Sequence, residues 1–209
     1  MRVCAVICEY NPFHNGHARH LALAREKSGA DFMLCLMSGA LTQRGAFARH
    51  DKWLRARMAL LGGADLMLVL PCRFACAPAP DYASAGVALL RALGVVTHLS
   101  FGCEAQSLDI LFAARDALRD ESPAFQSVLK DALDRGLPYA RARALAAEPA
   151  SGLPGLAEQI ARPNAVLALE YLQALPDDIS AVPILREGCG YHDNSPSPLA
   201  SATGVRAAL

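Results

Sequence analysis

Two histidines stand where the first apolar segment of the chain gives way to a helical pattern. His14 and His17 enclose Asn15 and Gly16, and this spacing predicts that both imidazoles lie on one face of the first helical turn. The start of a helix offers unpaired N–H groups and a partial positive charge, which suits a phosphate, and Gly16 would let a ligand approach the backbone closely. The segment therefore predicts a site where two imidazoles stabilise the charge that develops as a triphosphate is cleaved, without either becoming a covalent nucleophile.

Short apolar strands alternate with amphipathic helices around this segment. Because the strands are apolar throughout and are joined by helices, the order predicts an α/β fold with a doubly wound parallel sheet covered on both faces. Ligands bind beyond the carboxyl ends of the strands in such sheets. This position favours a nucleotide site over two other interpretations of the histidine pair, a surface pair and a metal-binding pair. Strands are predicted over residues 3–8, 32–37, 66–70, 97–101 and 181–185, and helices over 17–27, 48–61, 82–93 and 163–175.

A helical insertion interrupts the alternation at about residues 104–160. Residues 104–147 are rich in Ala, Arg and Leu with helical periodicity, and breaks at Ser122-Pro123 and Gly136-Leu137-Pro138 divide them into two or three predicted helices. Residues 148–154 are predicted to be a linker, and the proline-rich residues 71–80 a loop. We expect one catalytic domain over residues 1–209 that carries this insertion.

Composition excludes several classes of protein. A chain of 209 residues with 53% hydrophobic and 19% charged residues is not disordered, collagen-like or a small disulfide scaffold. Twenty basic residues balance twenty acidic ones, so the total charge does not predict a dominantly basic nucleic-acid binder. The two halves differ, however: residues 1–100 carry eleven basic and six acidic side chains, and residues 101–209 nine and fourteen. Much of the positive excess lies in one cluster, which would either bind phosphate or form a solvated helix face. The cluster comprises Arg44, Arg49, Lys52, Arg55 and Arg57.

Cysteine usage and hydropathy indicate the compartment. Seven cysteines are an odd number, no secretory signal opens the chain, and no apolar run is long enough to span a bilayer, so we expect the reducing cytoplasm. The CxxxC spacings of Cys4/Cys8 and Cys72/Cys76 are looser than zinc knuckles. We predict instead that Cys4 and Cys8 face the same side of a strand as small buried hydrophobes.

Seven segments follow one another along the chain: EYNPFHNGHxxH (9–20), MSGxxxQRG (37–45), DKWxRAxxAL (51–60), GADLMLVLP (63–71), LSFGCE (99–104), PNxxLxxEYLxAL (163–175), and GYHD with ASATxxR (190–206). Together they resemble the bacterial tRNA(Met) cytidine acetate ligases, a family within the HIGH-type nucleotidyltransferase superfamily. The resemblance implies a Rossmann-like catalytic domain. Two positions depart from the family pattern, Ala40 for a usual Asn and Cys103 for a usual small hydroxyl residue. Family members typically continue far beyond the last segment, so we expect part of the RNA-binding surface to lie outside this chain.

The resemblance implies an ATP-dependent ligase. Such an enzyme activates acetate as acetyl-adenylate, releases diphosphate, and transfers the acetyl group to N4 of the wobble cytidine of elongator tRNA(Met). Mg²⁺ is the expected partner of the ATP phosphates, although no carboxylate cluster in the sequence identifies its ligands. Two alternatives stay open: an adenylyltransferase for a small phosphorylated cofactor precursor, and a non-catalytic nucleotide- or RNA-binding module.

The resemblance also implies which residues bind the nucleotide. His14 and His17 are the expected catalytic residues, and Gly102, Asn164 and Arg186 would line the ATP site, although a turn glycine, a helix cap and a surface charge are the alternative roles. Ser201 and Thr203 would meet the outgoing diphosphate, or Ser201 would be an ordinary N-cap. We also expect Gln43-Arg44-Gly45 to form a flexible basic loop, with Lys52 and Arg55 beyond it, over the intermediate or against tRNA. The ATP-binding segment comprises Ile7, Cys8, Glu9, Tyr10, Asn11, Pro12, Phe13, His14, Asn15, Gly16, His17, Ala18, Arg19 and His20.

Overall fold

Five parallel strands form the central sheet of the protein, a computed structural model that describes residues 1–103, 107–120 and 122–185. Their order across the sheet is β3-β2-β1-β4-β5, so the chain begins in the middle, builds outward to one edge, and then crosses to build the other half. This order is that of a doubly wound α/β fold, and the predicted fold class is confirmed. The strands are β1 (Val3–Cys8), β2 (Phe32–Ser38), β3 (Leu66–Leu70), β4 (His98–Cys103) and β5 (Ser180–Leu185).

Helices cover both faces of the sheet in the described part of the chain. α1 and α2 pack on one face, whereas α4 and the helices that follow it pack on the other. None of the described helices is both long and apolar enough to cross a membrane. The helices are α1 (Asn15–Ser28), α2 (Lys52–Leu61), α3 (Cys72–Ala75), α4 (Ala79–Ala92), α5 (Leu108–Asp120), α6 (Pro123–Asp134), α7 (Tyr139–Ser151), α8 (Leu156–Ile160) and α9 (Pro163–Ala174).

Strand β1 contributes to two separate cores because its side chains alternate between the faces. Cys4, Val6 and Cys8 pack against α1 and α2, while Ala5 and Ile7 pack in the larger core beneath the other helices. The prediction that Cys4 and Cys8 are buried on the same side is confirmed. β1 is buried along its whole length, which fixes its carboxyl end firmly.

Two helices begin where the sequence interpretation did not place them. α2 begins at Lys52, not near residue 48, because the Asp51 carboxylate accepts the N–H groups of Trp53 and Leu54 as an N-cap. α4 begins at Ala79 inside the predicted proline-rich loop, where Pro80 lies in the first turn and its missing N–H removes no helical hydrogen bond.

Among the described residues, the stretch predicted to hold two or three helices holds three, α5, α6 and α7, and a short further helix, α8, follows within the predicted insertion. The predicted linker at residues 148–154 was wrong at its start, since α7 continues to Ser151 with Pro149 inside it. A tight turn joins α6 to α7 at Gly136, which has a φ of 79° and open space where a Cβ would stand. All of these helices pack on the face of the sheet opposite α1.

Candidate active site

The candidate site lies at the carboxyl edge of the sheet between β1 and β4. These two strands are neighbours, yet α1 leaves β1 along one face while α9 runs back to β5 along the other. Each helix runs antiparallel to the strands, so both helix N-termini stand at the carboxyl edge. Ligands of open α/β sheets bind at this switch point, and the two positive helix ends favour an anion there.

His14 and His17 together cap the start of α1 through hydrogen bonds. His14 is the N-cap residue, and its Nδ1 accepts the Gly16 N–H at 3.1 Å. The His14 N–H in turn donates to His17 Nδ1 at 3.3 Å, which completes a reciprocal capping box built from two imidazoles. The rings stack with centroids 3.8 Å apart. The prediction placed both rings on the first helical turn, but His14 immediately precedes the helix.

These two hydrogen bonds fix the tautomers of both histidines. A neutral imidazole has one N–H donor and one acceptor nitrogen, and Nδ1 is the acceptor in His14 and in His17. The proton of each neutral ring is therefore assigned to Nε2. Two Nε2–H donors beside the N-terminus of α1 are suited to the oxygens of a phosphate.

Gly16 is required by the cap itself. A Cβ at this position would lie 2.9 Å from His14 Cε1 and 3.1 Å from His14 Nδ1. The imidazole thus occupies the space beside Gly16 that the sequence interpretation reserved for a ligand. Gly16 therefore affects a bound ligand indirectly, because its missing side chain leaves room for the His14 ring.

Tyr10 supports the histidine pair from beneath. It adopts a φ of 47°, and its ring lies 4.8 Å from the His17 ring and 4.9 Å, edge to face, from that of Phe13. Its hydroxyl pairs with Cys35 Sγ at 3.4 Å. Burial raises the pKa of Tyr10 and of the Cys8 thiol, so both stay protonated at neutral pH and supply packing.

The predicted ATP-binding segment is buried to very different degrees. Ile7, Cys8, Tyr10 and Pro12 are buried, while Asn15 and Arg19 are exposed. The remaining members are half-buried at the surface of the site: Glu9, Asn11, Phe13, His14, Gly16, His17, Ala18 and His20.

β4 completes the wall beside α1. His20 Nε2 pairs with Ser100 Oγ at 2.9 Å, and Ser100 is fully buried. Gly102 follows two residues later, so it falls on the same face of β4, nearer the carboxyl edge. The sequence interpretation missed Ser100, although a hydroxyl inside the apolar run 99–101 was a signal that a partner would be needed.

The other predicted site residues divide between this edge and the undescribed part of the chain. Asn164 lies in the first turn of α9, half-buried, at the same edge as Gly102. Arg186, Ser201 and Thr203 lie outside the described residues.

Arg55 connects the segments around the site by hydrogen bonds, and it lies in a helix as predicted, although its side chain is buried and not on a solvated face. It lies in α2 with no exposed surface, because its guanidinium donates to four backbone carbonyls. These belong to Glu9 (2.6 Å), Ser38 (3.2 Å), His50 (3.0 Å) and Gly39. Burial lowers the pKa of Arg55, but a guanidinium keeps its charge at neutral pH.

Residues 40–49, which include the predicted basic loop, form a hairpin that is here called the basic hairpin. Leu41 pairs with Phe47 across it, and it closes with the Ala48 N–H donating to the Ala40 carbonyl at 2.8 Å. Two bonds attach it to the segment that leads to His14: Gln43 N–H to Glu9 Oε1 and Arg49 N–H to Asn11 Oδ1, both 2.7 Å.

Comparison with known proteins agrees with this geometry. The chain is 42% identical, over its full length, to the tRNA(Met) cytidine acetate ligase of Syntrophotalea carbinolica, and covers 51% of that protein. It is 37% identical to the protein of that name from Lysinibacillus sphaericus, of which it covers 53%. The chain thus spans about half the length of the curated relatives it matches.

Solved structures and a family model show the same relationship. The crystal structure of Thermotoga maritima TmcAL in its apo form I superposes with a TM-score of 0.90 at 34% identity, over 99% of this chain and 51% of that one. TmcAL bound with alpha-thio ATP superposes with a TM-score of 0.87, over 99% of this chain and 50% of that one. The model of the HIGH nucleotidyl transferase family matches residues 1–209. With its paired imidazoles at the switch point of a parallel sheet, the chain belongs to the HIGH nucleotidyltransferase family.

Proposed function

We propose that this chain uses ATP to activate acetate as acetyl-adenylate and passes the acetyl group to N4 of the wobble cytidine of elongator tRNA(Met). The observation that carries the proposal is the reciprocal cap of His14 and His17, which assigns two Nε2–H donors beside the start of α1. The names of its relatives, tRNA(Met) cytidine acetate ligase, support the choice of substrates.

The chemistry proceeds in two transfers that need no protein nucleophile. An acetate oxygen attacks the α-phosphorus of ATP, the bond from that phosphorus to the oxygen bridging the β-phosphate breaks, and diphosphate leaves. His14 and His17 donate hydrogen bonds to phosphate oxygens on which negative charge accumulates. The cytidine N4 amine then attacks the acetyl carbonyl, AMP leaves, and the amine loses a proton to solvent.

Further residues have proposed roles in binding ATP. Gly102 leaves room for adenosine against the β4 backbone, and the Asn164 amide bonds the nucleotide. Arg186 binds phosphate or the edge of the adenine ring, and Ser201 and Thr203 bind the outgoing diphosphate.

Mg²⁺ is proposed to enter with the ATP phosphates. In residues 1–103, 107–120 and 122–185 no group of three or more His, Cys, Asp or Glu side chains is placed to hold a metal. The triphosphate oxygens and water would therefore supply most of its ligands. We propose that the reaction takes place in the cytoplasm, where the six described cysteines, all free thiols, would stay reduced.

Acetate-dependent exchange of labelled diphosphate into ATP tests the first transfer without any RNA. The parent should exchange label only when acetate and Mg²⁺ are present, and His17→Gln should lose about 100- to 1,000-fold in rate, the usual cost of one charge-stabilising donor. His98→Gln is the matched control, since His98 begins β4 at the opposite, amino edge of the sheet.

The second transfer is tested by incubation with elongator tRNA(Met), nuclease digestion and mass spectrometry for N4-acetylcytidine. Exchange that depends on a phosphate ester and not on acetate would instead identify an adenylyltransferase. Nucleotide binding without any exchange, unchanged by His17→Gln, would identify a non-catalytic module.

A further inference from the structure

An exposed surface beside the site combines two aromatic rings with several cations. We propose that this surface, formed by Arg44, Phe47, Arg49, Lys52 and Trp53 and here called the 44–53 surface, binds an unpaired RNA loop by stacking bases on its two rings. The inference rests on the proposed function, because it names how that function's RNA substrate is held.

The two rings are unusually accessible for large apolar side chains. Phe47 is 83% exposed and Trp53 is 74% exposed, yet each stands on ordered backbone. Phe47 belongs to the basic hairpin through its pairing with Leu41, and Trp53 lies in the first turn of α2, where its N–H donates to Asp51. Aromatic faces presented in this way accept bases of any sequence by stacking.

The cations around the rings suit a polyanion. Between residues 44 and 57 the only acidic side chain is Asp51, whose carboxylate accepts the N–H groups of Trp53 and Leu54. The Lys52 ammonium lies over the Trp53 ring, 5.0 Å from its centroid, so a ring and a cation are offered together. This charge excess favours RNA over an apolar protein partner.

The position of the surface links it to the histidine pair. The bonds from Gln43 N–H to Glu9 and from Arg49 N–H to Asn11 attach the basic hairpin to the segment that ends at His14. RNA held on the hairpin would therefore lie next to the activated acyl group. The N4 amine of a paired cytosine is engaged in its base pair, so an unpaired loop is the form of RNA that can react.

The test uses a natural reporter, because Trp53 is the single tryptophan of the chain. We expect an RNA stem-loop with cytidine in its loop to quench the intrinsic fluorescence saturably, and a blunt RNA duplex of equal length to do so weakly. Quenching by the stem-loop should weaken as salt rises. Equal quenching by duplex and stem-loop would contradict stacking of unpaired bases.

Variants separate the surface from the site. Anisotropy of a labelled stem-loop should show affinity about 5- to 100-fold lower for Trp53→Ala, the range for one lost stack, and a smaller loss for Lys52→Ala. The matched controls are Leu61→Ala, which removes another exposed apolar side chain of α2, and Lys27→Ala, which removes a cation from the last turn of α1. Both should bind as the parent does.

Acetate-dependent diphosphate exchange, which needs no RNA, distinguishes the two proposals. If the parent fails to exchange, the proposed function fails whatever the RNA result. If Trp53→Ala keeps parental exchange and loses RNA affinity, the surface is confirmed. Undiminished RNA affinity of folded Trp53→Ala and Phe47→Ala would overturn it. A parent that is dimeric in light scattering, with variants that are monomeric but keep RNA affinity, would also overturn it and mark a protein-docking surface.

Discussion

At the scale of single residues, His14 serves both the helix and the site. Its Nδ1 caps α1 while its proton is assigned to Nε2, so one ring satisfies a backbone donor and orients a donor for the ligand. The sequence predicted the pair and its place at a strand-to-helix turn, because spacing and type are readable. It did not predict that the two histidines cap each other, since that depends on side-chain rotamers.

His14→Asn should separate the two roles. Asparagine is a good N-cap, so stability to urea should stay within about 0.5 kcal/mol of the parent. Loss of the imidazole should slow acetate-dependent exchange by about 100- to 1,000-fold. His14→Ala should lose both, including about 1 kcal/mol of stability. Parental exchange in a folded His14→Asn protein would exclude a direct role for the ring.

Gly16→Ala should disturb the site without disturbing the fold. The added methyl would stand 2.9 Å from His14 Cε1, so the ring must turn away and its donor moves. We expect exchange to fall by about 100-fold, the usual cost of misplacing a catalytic group by about 1 Å. Gly39→Ala adds the same methyl in ordinary contact, 3.5 Å from Val69 Cγ1, and should fall much less. Equal losses in both variants would argue against the mechanism.

At the scale of elements, one buried side chain connects four segments. Arg55 reaches from α2 to carbonyls at the ends of β1 and β2 and before α2 itself. Its position within a local run of basic residues suggested a solvated cation, and charge patterning alone could not distinguish it from its neighbours. The burial pattern of α2 distinguishes Arg55 from the neighbouring cations. Arg55 and Ala59, four residues apart on the helix, both point toward the core.

Arg55→Met should destabilise the protein by at least about 2 kcal/mol, because several buried carbonyls lose their donor. Urea unfolding monitored by circular dichroism would measure the loss. Arg57→Met provides the matched control on the exposed side of the same helix and should change stability by less than about 0.5 kcal/mol. An unchanged midpoint for Arg55→Met would show that water can replace the guanidinium.

Strand positions were predicted closely, whereas several helix boundaries were not. β1 and β3 match to the residue and the other strands within one or two, because short uninterrupted apolar runs are typical of strands in a parallel sheet. The start of α2 was missed because the sequence interpretation did not use Asp51, whose carboxylate is the N-cap that sets the first residue of the helix. Residues 148–154 were predicted to be a linker, yet α7 continues through Pro149 to Ser151.

At the scale of the whole molecule, the sheet separates two cores, and the site lies where the chain crosses between them. α1 supplies the histidine pair from one face and α9 presents its N-terminus from the other. A nucleotide at the carboxyl edge would therefore contact both halves of the fold. Binding there should stabilise the molecule as a unit.

ATP should raise the thermal midpoint of the entire chain in one transition. At a concentration about a hundredfold above Kd, binding contributes about 2.7 kcal/mol, which corresponds to roughly 5–10 °C for a protein of this size. Differential scanning calorimetry would measure the shift. His17→Gln should show a smaller shift at the same ATP concentration, and His98→Gln a parental one. Separate transitions for the two halves, with only one moved by ATP, would contradict the shared site.

The tight turn at Gly136 has a practical consequence. It joins two helices that pack on the face of the sheet opposite α1, and nothing lies within 4 Å of the position where a side chain would begin. Exposed turns of this kind tolerate inserted residues. An affinity tag, a fluorophore or a surface tether can therefore be attached there while the histidine pair and the basic hairpin keep their native neighbours.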